Sequence, residues 1–150
     1  MISVRVYGIV MNEEGKIVLS DEYIRGNFYT KFPGGGLELG EGTRDCLRRE
    51  LMEEMQLKAT IGNHIYTTDY YQQSAFNNAH QILSIYYFAH PQEPFKVNFK
   101  QQPFDFLPHQ IADPKGTAES FRLISLEDLS EESVTLPIDK IVVKMIKSHI

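Results

Sequence analysis

The sequence predicts an α/β fold in which helices pack on a mixed β-sheet. Three observations carry this. Segments rich in β-branched and aromatic residues recur along the chain, one strongly periodic helix lies among them, and a second periodic helix closes the chain. The 150 residues are a common size for one compact domain, and no repeat, low-complexity tract or boundary divides them, so a single domain over residues 1–150 is expected. A composition of 42% hydrophobic and 23% charged residues is close to globular averages and argues against disorder for the bulk of the chain.

Val4, Val6 and the Ile9-Val10 pair mark an opening strand. Asn12 to Gly15 is a turn signal, and Lys16 to Leu19 reads as the returning strand of a hairpin. Phe28 to Phe32 is β-prone and stops at Pro33, ahead of three glycines. Thr43 to Met55 is the best helix candidate: Leu47, Leu51 and Met55 recur at i, i+4 and i+8, with Gly42 or Thr43 near the N-cap. Lys58 to Tyr71 and Gln81 to Ala89 read as long strands around a polar loop, Gln72 to Asn78. Pro91 to Pro114 holds five of the seven prolines together with Phe95, Phe104, Phe106 and Leu107, which predicts an ordered insertion rather than a flexible linker. Ser120 to Ile124 is the last strand, Ser125 to Leu129 a capped helical turn, and Ile138 to His149 a helix with Ile141, Val142, Met145 and Ile146 on one face.

The formal net charge of −5 argues against a nonspecific nucleic-acid binder, so no nucleic-acid partner is expected. A single cysteine, Cys46, rules out an intramolecular disulfide and fits a reducing compartment. Residues 1–10 lack the continuous apolar core of a signal peptide, and no apolar run is long enough to span a membrane. A cytoplasmic protein is expected.

The chemistry concentrates between Gly34 and Glu54. Glu50, Glu53 and Glu54 stand at i, i+3 and i+4, hence on one helix face, where like charges repel by roughly 0.2–0.5 kcal/mol per exposed pair. A hard divalent cation, which takes oxygen ligands, offsets that repulsion. The apolar stripe of Leu47, Leu51 and Met55 is rotated by about a quarter-turn, so one side of the helix can pack while the acidic side faces a cleft. Arg49 precedes Glu53 by four residues and can fix its carboxylate. The glycines Gly34 to Gly36 permit close backbone approach, and a carbonyl there could add a neutral oxygen ligand.

This segment resembles the signature of the Nudix hydrolases, G-x5-E-x7-R-E-U-x-E-E-x-G-U with U aliphatic. Gly35 fills the first glycine and Glu41 the first glutamate; Arg49, Glu50, Leu51, Glu53 and Glu54 fill the central block and Leu57 the last position. Gln56 departs, standing where the family has a helix-ending glycine. The resemblance implies a Nudix-type α/β/α sandwich and a metal-dependent pyrophosphohydrolase. It implies Mg²⁺, with Mn²⁺ as the alternative ion, and a small nucleotide or nucleotide-derivative substrate cleaved at a diphosphate linkage. A homodimer is a family-level expectation.

The resemblance also implies roles. Glu53 and Glu54 are expected as principal metal ligands, Glu50 as a further ligand or water-binding partner, and Gly35 as a ligand through its carbonyl. Glu41 and Arg49 are structural supports. Glu119, just ahead of the last strand, is a candidate additional catalytic acid or base; the alternative is an exposed loop acid. The residues do not exclude a noncatalytic Nudix-like nucleotide sensor or an interaction module, although the intact acidic cluster favours the enzyme.

Outside the segment the signals are structural. Cys46 has no base placed beside it and reads as a small core residue. His64, His80, His90, His109 and His149 have no metal-ligand spacing. Tyr66, Tyr70, Tyr71, Tyr86 and Tyr87 read as core and sheet surface, with one of them available to stack on a base.

Overall fold

Strand β1 (Ile2–Val10) decides the layering. Val6 and Val10 face one side and Tyr7 and Ile9 the other, as the two-residue period of a strand requires, and all four are buried. A strand apolar on both faces belongs inside a sheet that is covered on both sides. The computed structural model, which describes residues 1–148, builds that sheet in the order β4-β1-β6-β5. β6 (Gln81–Pro91) runs parallel to β1. β4 (Gly34–Gly36) pairs antiparallel with β1, and β5 (Ala59–Thr67) antiparallel with β6, so the sheet is mixed. β2 (Lys16–Ile24), β3 (Asn27–Lys31) and β7 (Thr117–Ser125) form a second, antiparallel sheet in the order β3-β2-β7. Buried Asp21 ties its three strands together: it accepts from Arg122 of β7 at 2.5 and 2.9 Å and from Thr30 of β3 at 2.7 Å.

The two helices cover opposite faces. Helix α1 (Thr43–Met55) buries Cys46, Leu47, Leu51 and Met55 against Val6, Val10, Tyr87 and Ala89. Full burial of each such Leu or Met contributes roughly 1.5–3 kcal/mol. Helix α2 (Pro137–Ser148) places Ile138, Val142, Val143 and Ile146 against Tyr7, Ile9 and Tyr86. Its buried face is rotated from the expected one: Val143, Ile138 and Asp139 are inside, while Ile141 and Met145 are only half-buried. His149 lies outside the described residues. Among the described residues, no helix is long and apolar enough to cross a membrane.

Two expectations change. The turn at Asn12 forms, with Asn12 Oδ1 accepting from Lys16 N at 2.9 Å, but β1 and β2 are not a hairpin pair. Both ladder edges of β1 are taken, by β4 and β6, so β2 meets this connection only at the Met11–Ile17 bridge and then joins the other sheet. The strand expected to reach Tyr71 ends at Thr67, after register shifts at His64 and Tyr66, and Tyr70 and Tyr71 are exposed. Ser125 to Leu129 forms the single capped turn expected, with Leu129 N donating to Ser125 O at 3.0 Å and Ser125 Oγ accepting from Asp128 N at 3.1 Å. The proline-rich segment is ordered as expected: Phe95, Val97 and Phe99 pack on the α1 side of the core.

The end of α1 shows what the family glycine would do. Gln56 takes a left-handed conformation, φ 52° and ψ 35°. Leu57 N donates back to Leu51 O at 3.2 Å and Gln56 N to Met52 O at 2.9 Å, the paired bonds of a Schellman closure. The helix therefore ends as a glycine would end it, with a Cβ held in a region L-residues disfavour by roughly 1–2 kcal/mol. Gln56→Gly is expected to stabilise the protein by about 1 kcal/mol, read as a higher urea midpoint at unchanged slope. An unchanged or lower midpoint would show that no strain resides there.

Candidate active site

Gly42 is the N-cap of helix α1, and its carbonyl accepts from Cys46 N at 2.9 Å. One turn further on, Arg49 gathers the elements around it. Its Nε and one Nη donate to the two carboxylate oxygens of Glu41 at 3.0 and 2.7 Å, and the same Nη donates to Gly36 O at 3.0 Å. The other Nη reaches Glu50 at 2.9 Å and Glu53 at 3.3 Å. Glu41 also accepts from Glu38 N at 2.9 Å. The Arg49 hydrogen bonds, with that backbone bond, hold the Glu41 carboxyl down to about 2. The pair expected to brace the segment thus clamps the glycine strand, its loop and the helix.

Gly35 is where the helix acid meets the glycine strand. A Cβ on Gly35 would stand 2.4 Å from Glu50 Cδ and 2.5 Å from both carboxylate oxygens, so only glycine leaves Glu50 this seat. The Gly35 carbonyl, expected as a metal ligand, belongs to the β1–β4 ladder. Gly8 N bonds Pro33 O and Leu37 N bonds Val4 O, and the same alternation gives Gly35 to Val6. Gly34 and Gly36 turn their carbonyls to the free edge, and there Gly36 O is taken by Arg49. Of the three glycines, Gly34 has the carbonyl facing that edge that Arg49 does not occupy.

Glu54 faces other acids. Desolvation, then the charges of Glu119, Glu22 and Glu50, push its carboxyl up to about 9. Desolvation and Glu22 push Glu119 up to about 7, although its side chain stands on the exposed side of β7. Glu22 and Glu119 are direct partners across β2 and β7, and Ser20 Oγ lies 3.1 Å from the one and 2.8 Å from the other. A single hydroxyl proton cannot serve both carboxylates at once, which adds to their crowding. Glu54 therefore lies within Coulombic reach of Glu50, Glu119 and Glu22, while Glu53 sits at the rim, exposed and bonded to Arg49.

Among the described residues, no three His, Cys, Asp or Glu side chains stand in ready metal-ligating geometry. The fit to a metal rests on donor chemistry: hard carboxylate oxygens, desolvated and mutually repelling, are what a divalent cation neutralises. Among the described residues no histidine joins such a metal group, and Cys46 is a buried core thiol that burial and then Glu41 push up to about 12, well away from nucleophilic use.

Apart from Tyr86, the residues that complete the site are ones that sequence reasoning did not single out. A cavity of about 480 Å³ opens beside the acids, lined by Arg5, Tyr7, Glu22, Lys31, Phe76 and Tyr86 among others. Lys31 pairs with Glu22 at 3.3 Å. Asp139 of α2 lies on the cavity wall, buried, and accepts from Tyr86 OH. Burial raises its carboxyl to about 6 against the opposing bond from Tyr86. Charged residues inside otherwise apolar strands were the available signal, but which of them meet depends on pairings between distant segments.

The crowding has a pH signature. Glu54 and Glu119 bind protons more tightly in the folded chain than at their ordinary 4.5, so their contribution to stability is complete below that value. It is lost as pH rises through about 7 for Glu119 and about 9 for Glu54. The melting temperature of the protein in EDTA is expected to fall steadily from pH 5 to pH 9, and millimolar Mg²⁺ to flatten the fall. A profile in EDTA that rises over this window would mean the acids are not crowded.

These features define a Nudix-type fold with the glutamate helix set against a glycine strand. The NUDIX domain family model matches residues 1–144, so the chain belongs to the NUDIX family and to its class of pyrophosphohydrolases. Solved structures agree on the fold. A MutT from work on Aliivibrio salmonicida and Vibrio cholerae is 19% identical, with TM-score 0.63 and 100% of both chains covered. A MutT Nudix hydrolase from Burkholderia pseudomallei is 16% identical, with TM-score 0.69 over 97% of this chain and 98% of that one. An ADP-ribose pyrophosphatase from Streptococcus suis is 17% identical, with TM-score 0.56 over 96% and 86%. No curated protein matches the chain.

Proposed function

We propose that residues 1–150 act as one domain that hydrolyses the diphosphate linkage of a nucleotide or nucleotide derivative with Mg²⁺, Mn²⁺ serving as an alternative ion. The observation that carries this is the convergence of Glu22, Glu50, Glu54 and Glu119 beside a cavity of about 480 Å³. Glu50 and Glu54, with Glu53 swung in from the rim and the Gly34 carbonyl, would hold the metal. When bound, a divalent ion neutralises charge on phosphate oxygens and lowers the pKa of water.

The chain's own residues supply the rest. Arg49 and Glu41 keep the glycine strand and α1 in register. Glu119, close to neutral pH in its own titration, takes the proton of the attacking water. The water oxygen forms a bond to one phosphorus, the bridging P–O bond breaks, and the departing phosphate carries away the bond's electrons. The proton passes from Glu119 to solvent.

A phosphate-release screen over nucleoside triphosphates, ADP-ribose, nucleotide sugars and dinucleotides, with Mg²⁺ or Mn²⁺, tests the proposal. Metal-dependent turnover of at least one of them is expected. Tight metal-dependent binding of such a compound without turnover of any would replace the enzyme by a nucleotide sensor.

A further inference from the structure

Arg5 is only partly exposed and lines the cavity, yet it makes no ion pair among the described residues. The half-buried guanidinium lies over the Tyr7 ring, 5.8 Å from its centroid, rather than against a carboxylate. Its one side-chain hydrogen bond runs from Nε to Tyr7 OH at 2.9 Å, which fixes the guanidinium plane and leaves both terminal nitrogens free to donate. Arg5 is the register partner of Gly36, and a Cβ there would lie 3.6 Å from Arg5 Nη1, so the guanidinium reaches over the glycine strand. It lies within Coulombic range of Glu50 and Glu22, at the junction of cavity and acidic cluster. Lys31, 5% exposed, adds a second cation to the same wall, but its charge is matched by Glu22 at 3.3 Å.

We propose that Arg5 is the anion clamp of the site. It grips the phosphate of the diphosphate that carries the substrate's organic group, and so seats that group in the cavity between Tyr7, Tyr86 and Phe76. The inference rests on the diphosphate reading above and deepens it: the substrate is an organic diphosphate whose cleavable bond lies between the Arg5-held phosphate and the one facing the acids. A planar guanidinium with two free Nη groups matches a phosphate bidentately, which an ammonium cannot do. Screening Glu50 and Glu22 alone would require the charge and not the fork.

The test titrates inorganic pyrophosphate into the protein in EDTA by calorimetry, for the wild type, Arg5→Gln and Arg5→Lys, alongside KM for the best substrate of the screen. Wild-type protein is expected to bind saturably, Arg5→Gln about tenfold more weakly or worse, and Arg5→Lys in between. KM is expected to rise by more than kcat falls in Arg5→Gln. Absence of saturable binding by the wild type, binding by Arg5→Gln equal to it, or full recovery by Arg5→Lys overturns the clamp. Arg5-dependent binding in a protein that hydrolyses no diphosphate leaves the clamp standing and removes the hydrolase reading instead.

Discussion

Glu54→Gln is expected to lower turnover by about a thousandfold, roughly 4 kcal/mol of transition-state stabilisation, while making the metal-free protein more stable. The change is isosteric and removes only the charge. Glu54 is the carboxyl most displaced by its surroundings, raised to about 9 by desolvation and then by Glu119, Glu22 and Glu50. In the absence of metal this site disfavours the ionised form. At pH 8 the unfolded chain ionises this carboxyl while the folded site holds it protonated, so folding must take up a proton; the amide removes that cost, and the metal-free protein gains on the order of 2 kcal/mol, discounted for partial solvent access. In a protein of this size that is a rise of several degrees in melting temperature. Loss of activity with gain of stability is the mark of a functional charge rather than a structural one. Turnover and the melting curve in EDTA check both halves. A variant that keeps wild-type turnover, or melts lower, would take Glu54 out of the site.

Arg49→Met is expected to cost about a hundredfold in activity by disordering the acids it holds, with a lower melting temperature as well. Arg49 connects Glu41, Gly36 O, Glu50 and Glu53 through one guanidinium. Its removal leaves Glu38, Glu41, Glu50 and Glu53 without their shared cation, and the glycine strand loses its tie to α1. Glu50 then no longer rests against Gly35 in a fixed position. Raising Mg²⁺ should recover part of the loss, because the metal can itself gather the acids. Arg49→Lys should recover little, since one ammonium cannot bond both oxygens of Glu41 and also reach Gly36 O. Full activity in Arg49→Lys, read as kcat and the half-saturating Mg²⁺ concentration, would reduce Arg49 to a point charge.

What was legible in the sequence was local. Helix α1 runs over Thr43–Met55, the span its periodicity and capping indicate, because three apolar residues on one stripe and a glycine at the N-cap act within a few turns. Gln56 was visible as an irregular position, and its left-handed backbone follows from the same short-range logic. The aromatics of the proline-rich segment foretold its order. What was not legible was non-local. Nothing between residues 10 and 16 says that β1 will give its edges to β4 and β6 and send β2 to another sheet. The same blindness hid half the site. Glu22 faces Glu119 only because β2 pairs with β7, and Arg5 and Lys31 share a cavity only because two sheets meet there. The direction of the Gly35 carbonyl was hidden for the same reason, since strand register turns it toward Val6.

Calorimetric titration of Mg²⁺ into wild-type and Glu54→Gln protein at pH 8, in two buffers of different ionisation enthalpy, tests the metal site most directly. Saturable binding by the wild type, with protons released as the acids with raised pKa values ionise onto the ion, and binding weaker by at least tenfold in Glu54→Gln, are the expected results. Equal affinity in the two proteins, or binding with no proton release, would contradict a metal site built on Glu50 and Glu54 beside the crowded carboxyl of Glu119.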